Sequence, residues 1–460
     1  MAPKLRFQDP GAVCPALNRG DRWDPVLADS LSVIACLLSA VILLGMCKGA
    51  EAAAWPSPAV PDCLGVSVHF LDPQPGELEM LARAGFRWLR TDFDWSAMER
   101  EKGVYDFSAC DRFVSALEKH HLRAMFVLAY RNKLYDGGQS PASDEGRAAF
   151  ARWAVAGVRH FRGRGILWEM YNEPNLDNAW RPKADAEQYA KLAVTVGKAL
   201  HEAEPRERLV GPALAGLLEG IEECDYLETC FKAGVLHYWS GVTVHPYREG
   251  NPETVSLEYP LLRQLIEQYA PKGRRLPILC GEWGWEWVAD DTAFKGPDEV
   301  TQGKMLPRMV LINLMNHVGL TIWYDWHDDG NDPKNKEHHF GVVRGPHRGD
   351  QTLVYRAKPA YFAAQTLSQL LDGYRFDKRL VVGGPDDYVL QFVKSRQLRW
   401  AAWTTGTTPR TATLPIQPGP YSIISHTGEM SSSPTAGASG LPAPLTDALV
   451  YITPRQSASR

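Results

Sequence analysis

An amide, a carboxylic acid and a proline follow one another at Asn172-Glu173-Pro174, directly after an apolar run that begins at Ile166. A carboxyl at the end of a buried strand, followed by a proline that cannot continue the ladder, is held at a cleft mouth, where partial desolvation suits a general acid. A second carboxyl has the same setting, because the run from Leu276 to Cys280 ends in Gly281-Glu282-Trp283. Two such groups on opposite rims of one cleft can flank a glycosidic bond. One protonates the leaving oxygen while the other attacks the anomeric carbon. In that arrangement Glu173 is the acid/base and Glu282 the nucleophile, with Glu286, four residues into the loop, as a rival for the second role. A glutamate after a strand also serves as a helix cap or a surface ion partner, so the surrounding elements have to decide.

Those elements repeat. From Leu64 onward short apolar runs alternate with longer stretches of helical period, as β-α units do. The runs Gly65 to Phe70, Phe86 to Thr91, Leu122 to Tyr130, Ile166 to Tyr171, Arg208 to Gly211, Trp239 to His245, Leu276 to Glu282 and Leu320 to Tyr324 predict eight strands. Helices are expected between them, among them Glu77 to Ala84 closed by Gly85, Asp298 to His317 bent at Pro307, and Lys358 to Leu371 after the last strand. Eight rounds without an internal linker predict an α/β fold, a closed (β/α)8 TIM barrel over residues 56–373. Active sites of such barrels lie at the carboxyl ends of the strands, and strands four and seven face each other there. After Tyr374 short alternating segments predict a small C-terminal β-sandwich domain, residues 374–460, packed on the barrel, with Ser431 to Pro444 as a mobile loop rich in Ser, Pro, Gly and Ala.

With 460 residues the chain has room for one large domain and a small one. Its formal net charge of -4 and lack of a long basic run argue against nucleic acid as a partner and favour a neutral or weakly charged ligand. Fifteen tryptophans serve a core, and they also serve a ligand that offers flat CH surface, as sugar rings do. The first 55 residues are a different material. An uninterrupted apolar stretch from Leu31 to Met46 follows Lys4, Arg6, Arg19 and Arg22 and precedes the small-residue run Ala50 to Ala54. This predicts a signal peptide or a membrane anchor, and a periplasmic or secreted catalytic part. If the stretch is retained, residues 31–46 associate the protein with the inner membrane. Beyond it lie Cys63, Cys110, Cys224, Cys230 and Cys280. Cys224 and Cys230 are near enough in sequence to bridge, which their spacing alone does not decide. No zinc-ligand spacing is present, and the cluster His327, Asp328, Asp329, Asp332, His338 and His339 lacks the calcium-loop spacing, so neither a metal nor a cofactor is expected.

Asn172-Glu173-Pro174, Glu282, His245-Pro246-Tyr247 and Trp326 together resemble the retaining (β/α)8 glycoside hydrolases of clan A. The run from Phe93 to Leu117 and the run Tyr324 to Gly330 resemble family 39 within it, in particular the exported glycosidases encoded with Psl-type biofilm exopolysaccharides. The resemblance covers roughly residues 60–460. It implies that Asn172 bonds the sugar 2-hydroxyl and that Arg90 pairs with Glu282 and keeps it ionised. It also implies that Tyr247 donates to Glu282, that His245 lines the same wall, and that Trp326 is the floor under the reacting sugar. Tyr130, Asn132 and Tyr135 after strand three, and Trp283, Trp285 and Trp287 after strand seven, are further cleft candidates. Gly281 departs from the family pattern, in which a small polar residue precedes the nucleophile.

The expectation is therefore an exported, monomeric, retaining endo-glycoside hydrolase with a polysaccharide substrate, an exopolysaccharide of the biofilm matrix. Another clan A activity (mannanase, glucanase or xylosidase) is the first alternative. A non-catalytic polysaccharide-binding scaffold on the same barrel is the second, and the presence of both carboxyls speaks against it.

Overall fold

Strands buried on both faces need apolar residues pointing both ways, and a parallel sheet wrapped by helices supplies that setting. The structure, a computed structural model, describes residues 55–217, 221–286, 298–330, 332, 334–345 and 355–455. They belong to one compact unit, Ala52–Arg460. Residues 31–46, and with them the expected export segment, lie outside the described residues, as does Trp287.

Eight parallel strands close a barrel: β1 (Leu64–Ser67), β2 (Trp88–Asp94), β3 (Arg123–Ala129), β4 (Leu167–Met170), β5 (Arg208–Ala215), β6 (Gly241–His245), β7 (Ile278–Trp283) and β8 (Thr321–Trp323). Pairing of Gly65 with Ile322 and of Val66 with Trp323 shuts the seam. The helices between them are α1 (Glu77–Ala84), α2 (Ser108–Lys119), α3 (Asp144–His160), α4 (Ala186–Ala203), α5 (Ile221–Lys232), α6 (Tyr259–Tyr269), α7 (Glu299–Met315) and α8 (Pro359–Leu370). Their starts are set by side chains that satisfy otherwise unpaired first-turn amides: Ser143 accepts from Gly146, Asp185 from Gln188 and Asp298 from Thr301. The helix α7 runs on through Pro307.

Side chains alternate along a strand, so every second residue points into the barrel and the rest point out toward the helices. The lowest inward layer is an apolar plug that includes Trp88, Met125, Leu167, Leu279 and Ile322, all fully buried. Two residues further along the same strands the inward positions become Arg90, Glu169 and Gly281. The barrel therefore passes from a dry core to a charged layer in one step, and the cavity opens above that layer.

Strand β5 is longer than expected, running on to Ala215 through Pro212. The proline has no amide to donate, and the ladder absorbs it as a register shift between Pro212 and Leu214. All five cysteines of the described residues, Cys224 and Cys230 on α5 included, are free thiols.

A short antiparallel pair, β9 (Val343–Arg344) with β10 (Arg356–Ala357), precedes α8, and beyond α8 the chain forms two antiparallel sheets. The larger joins β11 (Arg375–Arg379), β12 (Asp387–Lys394), β13 (Gln397–Thr404), β19 (Val450–Pro454), β15 (Gly419–Ser425) and β16 (Met430–Ser432) in that order, with β17 (Thr435–Ala436) on β15. The smaller pairs β14 (Arg410–Leu414) with β18 (Leu441–Leu445). Alternation again sorts the faces: Val389, Trp400 and Ala402 pack with Leu414 and Leu441 between the sheets, whereas Leu390, Phe392, Ala401 and Trp403 join the barrel's core. The architecture is a TIM barrel with a β-sandwich. Residues 431–444, expected as a mobile loop, instead contribute β17 and most of β18. Leu441, Ala443 and Leu445 turn inward, while Pro442 and Pro444 take the outward positions of a two-stranded edge that tolerates proline.

Candidate active site

The chain leaves β4 through a sharply turned segment in which Tyr171 and Glu173 both adopt positive φ, 71° and 45°. Left-handed backbone at two residues that are not glycine costs energy and persists only where neighbours fix it. The Glu173 amide donates to the carbonyl of Ala213 at 2.9 Å, and the Asn175 side chain exchanges two 3.0 Å hydrogen bonds with the backbone of Ala215. The Tyr226 hydroxyl donates to the carbonyl of Pro174 at 3.0 Å. The bulged end of β5 is thus the clamp that aims Glu173.

Glu282 is aimed differently. Strict alternation would turn it outward, next to inward Gly281, but the β7–β8 register breaks between Cys280 and Trp283 and presents it to the cavity. Arg90 Nη1 donates to its Oε2 at 2.7 Å and the Tyr247 hydroxyl to its Oε1 at 2.9 Å. Arg90 Nη2 donates to Asn172 Oδ1 at 2.6 Å, so one guanidinium ties the residue before Glu173 to Glu282. His245 is wholly buried beneath, with Nδ1 3.0 Å from Glu173 Oε1 and Nε2 3.5 Å from Arg90. It supports Glu173 from below and does not form part of the cavity wall. An oxygen of Glu173, an oxygen of Glu282 and a His245 nitrogen all lie within 4.8 Å of one another. The two carboxyls open into a cavity of about 750 Å³, which Arg90, Tyr130, Asn172 and Tyr247 also line.

Five candidates stand elsewhere. Trp326, expected as the floor, is 1% exposed and donates its indole N–H to Glu77 at 2.9 Å. Strand β8 ends at Trp323, and by Trp326 the chain has already turned onto β1, where its amide bonds the carbonyl of Ser67. The aromatic ring facing the cavity from β8 is Tyr324, packed against Phe340 and His69. Trp283 is buried between Trp285 and the Arg248 guanidinium and lines no part of the cavity. Asn132 and Tyr135 are also buried, tied to Glu99 by hydrogen bonds. Glu286 pairs with Lys336 and lies off the cavity.

Several residues of the site escaped sequence reasoning. Glu169 is a charge inside a buried strand, and its inward register with Leu167 was the available signal. His69 follows β1, and its Nδ1 lies 2.8 Å from Asp329 and 3.9 Å from Asp325. Burial opposes a charge on His69, but the hydrogen bond with Asp329 and the negative charges of Asp325, Asp329 and Glu282 outweigh it and raise the imidazole to about 9. His69, Asp325 and Asp329 could gather round a cation, since their ligand atoms lie within 4.8 Å of one another. A protonated imidazole, however, offers the cation no lone pair.

No family model matches the sequence. A β-xylosidase of Geobacillus stearothermophilus is 30% identical over 175 residues, a match that spans about a third of either chain, 34% of each. Among solved structures, a family 39 glycoside hydrolase from Bacteroides cellulosilyticus WH2 superposes with a TM-score of 0.72 at 25% identity, covering 85% of this chain and 81% of that one. Its fold is shared with glycoside hydrolases. A family 39 β-xylosidase from Caulobacter crescentus gives a TM-score of 0.60 at 18% identity over 88% of this chain and 98% of that one. Together these similarities support a glycosyl hydrolase.

Proposed function

We propose that the protein is a retaining glycoside hydrolase in which Glu282 is the nucleophile and Glu173 the acid/base. The observation that carries this is their separation. One oxygen of Glu173 lies within 4.8 Å of one oxygen of Glu282, in keeping with the roughly 5–5.5 Å of double displacement and short of the about 6.5–9.5 Å at which an inverting pair holds a water. Glu173 protonates the leaving oxygen while Glu282 forms the glycosyl ester. Glu173, now ionised, then takes a proton from the water that cleaves that ester. Asn172 spends its carbonyl oxygen on Arg90 and keeps its NH2 group for the sugar 2-hydroxyl. Tyr324 takes the place expected of Trp326 under the reacting ring.

The substrate that fits best is a bacterial exopolysaccharide cleaved internally by an exported enzyme. The amino-terminal sequence supports export, and a cavity whose charged lining is mainly carboxyl (Asp92, Asp94, Glu173, Glu282 and Glu337) disfavours an anionic chain and supports a neutral one. The β-xylosidase similarity favours a second reading, an exo-acting xylosidase. Digesting purified exopolysaccharide and xylo-oligosaccharides, with Glu282→Gln as control, separates the two. Oligosaccharides from the exopolysaccharide, absent with the variant, are expected; xylose alone from xylo-oligosaccharides would establish the second reading, and no cleavage of either would leave the scaffold alternative.

A further inference from the structure

Glu169 neither lines the cavity nor takes a step in the reaction, yet it is a completely buried charge. Its Oε2 accepts from Arg90 Nε at 2.7 Å. The other two nitrogens of that guanidinium are committed to Glu282 and Asn172. A planar fork held on all three sides has one orientation, so Glu169 holds the edge that fixes the other two. The second oxygen, Oε1, has no hydrogen-bond partner. It faces the residue that immediately precedes Glu282, for a Cβ added at Gly281 would lie 2.7 Å from it.

We propose that Glu169 is a positioning residue that sets the basicity and aim of the Glu282 carboxylate through Arg90, and that position 281 is glycine because any side chain there would displace Glu169. The inference rests on Glu282 being the nucleophile. A buried arginine paired with Glu282 alone would hold that carboxylate in a full ion pair and blunt its attack on carbon. A second carboxylate on the same guanidinium shares the positive charge and adds a nearby negative one, so Glu282 keeps more of its electron density. Other groups also act on Glu282: His69 from β1, Asp92 from β2, Glu173 after β4, and Glu337 beyond β8. The hydroxyls of Tyr130, Tyr247 and Tyr324 face it as well, with His245 beneath. None of these is altered by replacing Glu169 with glutamine, which keeps the volume and an acceptor for Arg90.

The test needs no substrate. Modification of Glu282 by a water-soluble carbodiimide, read by peptide mass spectrometry across pH in the full chain, reports its protonated fraction. In Glu169→Gln the midpoint should fall relative to the parent, because a neighbouring negative charge is removed, and Gly281→Ala, which crowds Glu169 off Arg90, should move it the same way. On an aryl glycoside that the parent cleaves, the acid limb of kcat/KM should follow, with kcat falling more than KM changes. A merely structural Glu169 would lower the melting temperature and leave the midpoint in place; an unchanged midpoint in both variants overturns the proposal. Undiminished turnover by Glu282→Gln would instead overturn the assignment of the nucleophile, whatever the midpoint does.

Discussion

Asp92 shows what an open, charged cleft costs the fold at the level of one residue. It stands two positions beyond Arg90 on the inward face of β2, where its side chain is exposed to the open cavity and the walls of that cavity surround it. Desolvation there pushes its carboxyl up to about 6, with Arg90 opposing and Asp94 and Glu282 contributing. A carboxyl raised in the folded state favours the protonated form, so its ionisation destabilises the fold. The penalty is absent below about pH 4, accumulates as the unfolded chain ionises first, and is complete above about pH 6. Asp92→Asn should therefore raise the melting temperature at pH 7.5 and have no effect at pH 3.5. Melting curves at the two pH values check this, and an equal shift at both would contradict it. Arg90, by contrast, is kept charged in spite of burial, because Glu169 and Glu282 outweigh the lost hydration.

At the scale of elements, the end of β5 governs the aim of Glu173. Ala213 has a φ of 56°, donates its amide to Thr243 Oγ1 at 2.9 Å, and gives its carbonyl to the Glu173 amide. Thr243→Val keeps the shape of a wholly buried side chain but strands that amide, which should cost about 1–3 kcal/mol. Chemical denaturation should show this loss, and kcat should fall while KM stays near the parent value, since the displaced group is Glu173. None of this was legible in the sequence, where Pro212 reads as the end of a strand. What was legible is the frame: eight apolar runs, and carboxyls ending the fourth and seventh, because burial on both faces leaves a continuous apolar signature. The ring expected to face the cavity was misplaced by two residues, Trp326 for Tyr324, because a run of ring-bearing residues after β8 does not show where the strand stops. Glu169 stayed hidden because a lone charge in an apolar run does not reveal its partner on a strand 79 residues away in sequence. In β18 the prolines suggested a loop, although the alternation of Leu441, Ala443 and Leu445 carried the strand signal.

At the scale of the molecule, barrel and sandwich share a core. The Trp403 indole donates to Glu253 at 2.7 Å, the same carboxylate that Arg308 of α7 holds by two bonds, and Arg308 also donates to the carbonyl of Asp447. Truncation after Gly373 would expose the apolar surface now covered by Phe392 and Trp403 and uncover a buried ion pair, so the shortened chain should be insoluble or melt well below the parent. Soluble yield and melting temperature measure this; a truncated barrel that melts like the whole protein would show the sandwich to be dispensable. All of these elements serve to bring Glu173 and Glu282 to one small gap. The most direct test of that claim is the anomeric configuration of the first-formed product, followed by proton NMR during cleavage of a substrate of known configuration. Retention is the predicted result, since the gap admits a glycosyl ester on Glu282; an inverted product would mean that water attacks directly and that the two carboxyls do not act as a nucleophile and an acid/base.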